Sequence, residues 1–269
     1  MQDLSAIQKI IREELQRFEL SFQDLMANGI VFQDTAGQGM LVKGGKRLRP
    51  MLVYLCAKLF GHPNESTHRA ALFVETLHTA TLIHDDIVDG SEERRGNPAL
   101  HMSLDIPTAV LTGDYLLAKS MPLLSNSEDL PLLQELLGTI LAMSEGELMQ
   151  RKRQKTEDRS QEGYREVIQR KTAMLFRSCC MVGAMSVQAP LEAIPLIADF
   201  GLNLGLVFQM RDDLLDQDDP ESVTFAEALL PLHLDKAQST LSLLPPVVKD
   251  HESLAALNTL LFFCAQRDV

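Results

Sequence analysis

Apolar side chains recur every three or four positions along most of the chain, which is the spacing of one face of an α-helix. The strict alternation that is typical of half-buried strands is scarce. The first periodic stretch puts six apolar side chains on one side: Ile7, Ile10, Ile11, Leu15, Phe18 and Phe22. The pattern therefore predicts an all-α protein whose first helix is amphipathic.

Glycine, proline and capping residues mark where the later helices begin and end. They predict helices at about 50–60, 66–89, 108–121, 130–155, 161–187, 191–216, 224–243 and 251–266. Glycines punctuate a loop between residues 37 and 45. No linker is long enough to divide the chain, so we expect one helical domain over residues 1–269.

Two acidic motifs lie at the ends of predicted helices. Each has the pattern Asp-Asp-x-x-Asp and follows an apolar run, and its outer aspartates lie four apart on one helix face. Clustered carboxylates that lose water need cations, and Mg²⁺ suits them because it takes one or two carboxylates and completes its shell with water and phosphate oxygens. The candidate metal ligands are Asp85, Asp86, Asp89, Asp212, Asp213 and Asp216.

A single acidic cluster of this kind is more often a solvated helix face than a metal site. Two copies with apolar flanks favour the metal site, and so do Arg94 and Arg95, which follow the first motif. One guanidinium group can donate two parallel hydrogen bonds to the oxygens of a phosphate, so these arginines are candidate diphosphate ligands.

Composition and charge limit the function classes. The chain has 269 residues, 45% of them hydrophobic, and a net charge of −12, which argues against a nucleic-acid partner. The basic run Arg151-Lys152-Arg153-Gln154-Lys155 is interpreted as the solvated end of a helix.

The cysteines indicate a reducing compartment. Cys56, Cys179, Cys180 and Cys264 form no C-x-x-C pair, so we expect buried free thiols. The first residues do not resemble a secretory signal, and no uninterrupted apolar run reaches the roughly 18 residues of a membrane helix. A cytoplasmic protein is expected.

Further motifs share the chain with the acidic pair, and the whole set resembles the trans-isoprenyl diphosphate synthases, or polyprenyl synthetases. The resemblance covers roughly residues 40 to 216, with the motifs in the order of that family. They are Gly44-Gly45-Lys46-Arg47-Leu48-Arg49-Pro50, His84 to Asp89 with Arg94-Arg95-Gly96, Gly113-Asp114-Tyr115-Leu116, Glu145-Gly146-Glu147 with Gln150, Lys171-Thr172-Ala173, and Phe208 to Asp216.

The resemblance implies a helical bundle around a central cavity, usually dimeric, that joins isopentenyl diphosphate to an allylic diphosphate. By this resemblance Asp85, Asp89 and Asp212 hold Mg²⁺, which acts as a Lewis acid on the leaving diphosphate. Arg94 and Lys171 add fixed positive charge at the departing oxygens.

The resemblance also assigns residues to the second substrate and to the carbocation. Lys46, Arg49 and Arg95 would hold isopentenyl diphosphate, with His78 nearby. Gln209 and Thr172 would face the carbocation. On its own, His78 is more simply a buried structural histidine, and Thr172 needs no catalytic role.

The segment after the second acidic motif departs from the family. The family usually carries lysines there that close over the diphosphates, whereas residues 217–224 are acidic and contain no lysine. The part that follows is also short for the family. An active enzyme that relies on Arg94, Arg95 and Lys171 is favoured because both motifs keep all their aspartates.

Two alternatives stay open. A non-catalytic or regulatory subunit of a heteromeric synthase would keep the fold and some ligands. A metal-dependent diphosphate hydrolase would leave Gly44 to Pro50 unexplained.

Product length is expected to depend on Ala80, five residues before the first motif. In the family a bulky aromatic side chain there stops the growing chain early. Ala80 is small, and neither Thr76 nor Leu77 one turn earlier is aromatic. We predict a product longer than geranylgeranyl diphosphate; the alternative is that Ala80 only permits close helix packing.

Overall fold

The computed structural model describes residues 4–27, 45–94, 96–244 and 248–267, and these are almost entirely helical. Two short strands, β1 Glu93–Arg94 and β2 Asn97–Pro98, pair antiparallel, with Glu93 opposite Pro98. The elements in chain order are α1 Leu4–Ile10, α2 Arg12–Ala27, α3 Leu48–Phe60, α4 Glu65–Asp89, β1 Glu93–Arg94, β2 Asn97–Pro98, α5 Leu100–Ser103, α6 Ile106–Ser120, α7 Leu130–Thr156, α8 Gln161–Ile168, a π-helical turn Gln169–Ala173, α9 Met174–Ser186, α10 Ala193–Asp216, α11 Pro220–Leu243 and α12 His251–Gln266. Short 3₁₀ turns, Met121–Leu124 and Ser127–Asp129, link α6 to α7.

Local sequence explains where the helix of the first acidic motif begins and ends. The Asn64 side chain accepts a hydrogen bond from the Thr67 backbone N–H at 3.0 Å, and the Thr67 hydroxyl accepts one from the Asn64 N–H at 3.1 Å. This reciprocal capping starts α4 slightly earlier than the sequence predicts. Gly90, with a φ of 67°, ends it in the left-handed conformation that favours glycine.

Both acidic motifs occupy the last turn of a helix. The first ends α4 at Asp89 and the second ends α10 at Asp216. The C-terminal end of a helix carries partial negative charge, which makes carboxylates there still less favourable without a cation. The fold thus strengthens the need for positive charge that the motifs themselves create.

The core lies between α3, α4, α9, α10 and α12. Its largest buried side chains include Tyr54, Phe60, Phe73, Phe176 and Phe200, all at most 1% exposed. The four cysteines are buried and free, as predicted. By length and composition α10 could cross a membrane, but most of its apolar window is buried in the bundle, as in the core helix of a soluble protein.

The structure corrects five details of the helix prediction. The first helix is interrupted at Ile11, residues 161–187 include a π-helical turn, and both α5 and the β1–β2 hairpin were not predicted. Helix α11 starts at Pro220 rather than near residue 224, because the Asp219 side chain caps the N–H groups of Glu221 and Ser222.

Candidate active site

A cavity of about 910 Å³ opens between α3, α4, α7, the π-helical turn and α10. Asp85 and Asp212, the first aspartate of each acidic motif, both line it. Its wall carries six basic side chains against four acidic ones in a protein whose net charge is −12, so the cavity suits an anionic ligand. The basic residues are Lys46, Arg47, Arg49, Arg94, Lys171 and Arg267.

Asp85 is the most perturbed carboxylate of the first motif. Burial, helped by the nearby charges of Glu147 and Asp89, raises its pKa to about 6 even though Lys171 and Arg94 act in the opposite direction. Desolvation thus outweighs the two cations, and the ionised carboxylate still lacks compensating charge. A divalent cation at Asp85 would supply that charge.

The other aspartate positions of the motifs differ from one another. Asp86 is buried and accepts hydrogen bonds from Nε of Arg94 at 2.8 Å and from its second terminal nitrogen, so it ties the β-hairpin to α4. Asp89 and Asp216 are exposed at the ends of their helices. None of these three, nor Asp213, belongs to the cavity wall, so the four-residue spacing alone does not bring the outer aspartates of a motif together there.

Asp212 is paired with Arg267, a residue that the sequence analysis missed. The Arg267 guanidinium forms a salt bridge with Asp212 and lies 3.9 Å from the centre of the Phe208 ring. Its backbone carbonyl accepts a hydrogen bond from Nε of Arg211 at 2.9 Å. No local sequence pattern predicts this contact, because Arg267 follows α12 and is far from Asp212 in sequence.

Lys171 and Thr172 sit in the π-helical turn, a widened geometry that is frequent at functional sites. The ammonium of Lys171 lies 2.5 Å from Glu147 and donates to the Gln150 side chain at 3.1 Å. Gly146 permits this approach, because a Cβ there would lie 2.7 Å from the Lys171 backbone nitrogen. Glu147 and Gln150 of α7 therefore position the lysine.

Three of the predicted isopentenyl diphosphate ligands line the same cavity. Arg49 lies 2.9 Å from Nε2 of His78, and its guanidinium is 5.1 Å from the Phe176 ring centre. Lys46 lies 5.4 Å from the Phe263 ring centre. All three predicted residues line the cavity, whereas the predicted ligand Arg95 lies outside the described residues.

Arg47, between Lys46 and Arg49, forms ion pairs that connect three helices. Its guanidinium donates to Glu19 at 2.7 Å and to Glu75 at 2.8 Å, which joins α2, α3 and α4. Its φ of 52° is unusual for a residue with a side chain, and Arg47 lies immediately before the start of α3.

Among the described residues, no three His, Cys, Asp or Glu side chains converge into a ready metal cage. Mg²⁺ does not require one, because it keeps several water or phosphate oxygens and takes only one or two carboxylates. Asp85 and Asp212 on two helices fit an ion that is held jointly by the protein and a diphosphate.

The described residues thus form an all-α bundle around a cavity that is lined by carboxylates and basic side chains, which suits an anionic ligand. The polyprenyl synthetase family profile matches residues 34–225, and the chain belongs to this family.

Relatives and solved structures agree with that placement. Geranylgeranyl diphosphate synthase from Sulfolobus acidocaldarius is 37% identical over 187 residues, which cover 67% of this chain and 57% of that one. Heptaprenyl diphosphate synthase component 2 from Geobacillus stearothermophilus is 35% identical over 177 residues, covering 66% and 55%. The chain therefore spans little more than half the length of these two relatives.

The fold matches over nearly the whole chain. A polyprenyl synthase from Caulobacter crescentus CB15, solved with calcium and isoprenyl diphosphate, aligns with a TM-score of 0.85 at 27% identity, over 99% of this chain and 98% of that one. The predicted all-α fold of this family is thus confirmed.

Proposed function

We propose that this chain is a Mg²⁺-dependent prenyltransferase that joins isopentenyl diphosphate to an allylic diphosphate and makes a polyprenyl diphosphate. The observation that carries the proposal is the placement of Asp85 and Asp212 on one cavity wall with Arg94 and Lys171. The relatives named above are prenyl diphosphate synthases, which supports the same reaction class.

The reaction needs a leaving group and a protected cation. The C–O bond of the allylic diphosphate breaks with its electron pair on the diphosphate, and the double bond of isopentenyl diphosphate then forms the new C–C bond. Loss of one proton to the released diphosphate or to water restores a double bond. Bound Mg²⁺ would supply Lewis acidity to the departing diphosphate.

The position of each residue in the cavity suggests which part of the reaction it would assist. Asp85, Asp89 and Asp212 would hold the metal ions, and Arg94 and Lys171 would bind the departing oxygens. Lys46, Arg49 and His78 line the cavity and would hold isopentenyl diphosphate. Arg95 is proposed for the same substrate by family resemblance. Gln209 and Thr172 line the cavity where an allylic cation would form.

Incubation of the purified chain with labelled isopentenyl diphosphate, allylic starters of several lengths and Mg²⁺ tests the proposal. We expect elongated, chloroform-extractable product that disappears on chelation of Mg²⁺. Phosphate release without elongation would instead identify a hydrolase, and product formed only after addition of a homologous chain would identify a subunit of a heteromeric enzyme. The subunit alternative is kept because one relative is named as a component of a synthase.

We further propose one domain over residues 1–269, a homodimer and a cytoplasmic location. Buried free cysteines support a reducing compartment. Exposed apolar side chains on α6 and α7 support self-association: Ile106 (55% exposed), Leu111 (66%), Leu137 (45%) and Leu141 (62%). Replacement of Leu141 by Glu should yield monomers in light scattering, whereas Leu20→Glu on α2, 71% exposed in the wild type, should not.

A further inference from the structure

Asp213 has both carboxylate oxygens occupied by neutral donors. The Tyr164 hydroxyl donates to Oδ2 at 2.5 Å, and Nε2 of Gln209 donates to Oδ1 at 2.9 Å. Neither Asp213 nor Tyr164 belongs to the cavity wall, whereas Gln209 does. Asp213 therefore lies behind the wall, and its hydrogen bonds reach the cavity through Gln209.

The Gln209 amide is held at both ends. Its nitrogen donates to Asp213, and its carbonyl oxygen accepts a hydrogen bond from the Thr172 hydroxyl at 2.8 Å. A flipped amide would turn its oxygen toward the Asp213 carboxylate, and two acceptors would then face each other. The carboxylate thus selects the orientation that keeps the Gln209 oxygen beside Thr172 at the cavity wall.

Tyr164 in turn fixes the carboxylate. Its side chain is only 3% exposed and packs beside Phe225 with ring centres 5.7 Å apart, in a small apolar cluster between α8, α10 and α11. Burial raises the pKa of its phenol, so the hydroxyl is a donor and not an acid at neutral pH. Three elements, α8, α10 and the π-helical turn, are joined by this chain of hydrogen bonds.

We propose that Tyr164 and Asp213 are positioning residues that hold the Gln209 carbonyl oxygen toward the allylic cation, and that Asp213 is not a metal ligand. The inference rests on the proposed prenyl transfer. An oxygen fixed in advance beside a developing positive charge stabilises the transition state, whereas an amide that rotates would spend part of its time presenting N–H donors that repel the cation.

The first test replaces the phenol hydroxyl. In Tyr164→Phe we expect kcat to fall about 10-fold to 100-fold, as for a misplaced group near the reacting atoms, with KM for both diphosphates changed less than about threefold. The matched control is Tyr54→Phe, a buried tyrosine that donates to or accepts from Nδ1 of His68 at 2.8 Å and does not line the cavity. It should lose comparable thermal stability and keep kcat.

A double-mutant cycle decides whether Tyr164 acts through Gln209. In a Gln209→Leu background the Tyr164→Phe change should cause no further loss of kcat, because the group that it positions is gone. If the kcat losses of the two single variants multiply in the double variant, Tyr164 acts by another route, and the proposal is overturned.

A binding experiment tests the claim about metal. Asp213→Asn should bind a non-hydrolysable allylic diphosphate analogue with nearly the Mg²⁺ dependence of the wild type in calorimetry, whereas Asp212→Asn should lose it. Equal losses in both variants would restore Asp213 as a ligand and overturn the proposal. An active wild type with an unaffected Tyr164→Phe variant overturns this inference alone, but a wild type that transfers no prenyl group overturns the proposed function and this inference with it.

Discussion

At the scale of single residues, the proposed metal ligand Asp85 lies where its ionised carboxylate lowers the stability of the fold. The folded-state pKa of Asp85 is about 6, above its usual value of 3.8, because the carboxyl is buried. Ionisation of Asp85 therefore disfavours folding: the loss is absent below pH 3.8, grows between the two pKa values and is complete above pH 6. Residues held for function often carry such a cost.

Replacement of Asp85 by Asn should accordingly raise the free energy of unfolding at pH 7.5 by about 1–3 kcal/mol while turnover falls by orders of magnitude. Urea unfolding at pH 7.5 and at pH 3.5 measures the first effect, which should vanish at the lower pH. Asp89→Asn, an exposed position in the same motif, should change stability by less than about 0.5 kcal/mol. A destabilised Asp85→Asn at pH 7.5 would contradict the assignment of desolvation as the dominant cause.

The basic residues are predicted to separate the two substrates. Arg49→Ala should mainly raise the Michaelis constant for isopentenyl diphosphate, since Arg49 lies beside His78 at the start of α3. Arg94→Ala should weaken the allylic substrate more, since its guanidinium is anchored on Asp86 beside the first motif. Steady-state kinetics with each substrate varied in turn checks this assignment of one arginine to each substrate. Equal effects of each variant on both substrates would refute it.

At the scale of elements, the close approach of α7 to the π-helical turn sets the position of Lys171. Gly146→Ala should displace that turn, because the new Cβ would lie 2.7 Å from the Lys171 backbone nitrogen and 2.9 Å from Cβ of Arg170. We expect a lower melting temperature and at least a tenfold loss of kcat, since about 1 Å of misplacement can cost more than that.

The control for this change lies on the same helix. Gly138→Ala meets no atom within 4 Å and should leave kcat unchanged while stabilising the protein by about 0.5–1 kcal/mol, the usual gain of alanine over glycine in a helix. Calorimetry and kinetics on both variants make the comparison. If Gly146→Ala also stabilised the protein and kept its activity, the packing at Lys171 would not be tight.

At the scale of the whole molecule, several elements enclose one cavity whose depth should limit product length. Ala80 lines this cavity and is 2% exposed, five residues before Asp85 or about 7.5 Å along the helix axis. Ala80→Phe should shorten the product without abolishing turnover, because the ring would fill the path of the growing chain. Chromatography of the products measures the length; an unchanged distribution, or a wild-type product of farnesyl size, would place the floor of the cavity elsewhere.

The sequence by itself determined most of the local structure. Helical periodicity and the break at Gly90 depend on residues a few positions apart, so they can be read without a structure, whereas the cap at Asn64 was not predicted. The same holds for the acidic motifs, whose composition alone calls for cations. Family membership followed from the order of such local motifs.

Only the tertiary structure decided which aspartates share the cavity and what holds them. Asp85 and Asp212 line it. Asp86 accepts hydrogen bonds from Arg94 instead, and Asp213 accepts them from Tyr164 and Gln209. The salt bridge of Asp212 with Arg267 joins residues from separate parts of the chain. Spacing along a helix fixes the face on which a side chain lies, but the partner opposite that face depends on how distant helices pack, and this packing is set by the core as a whole.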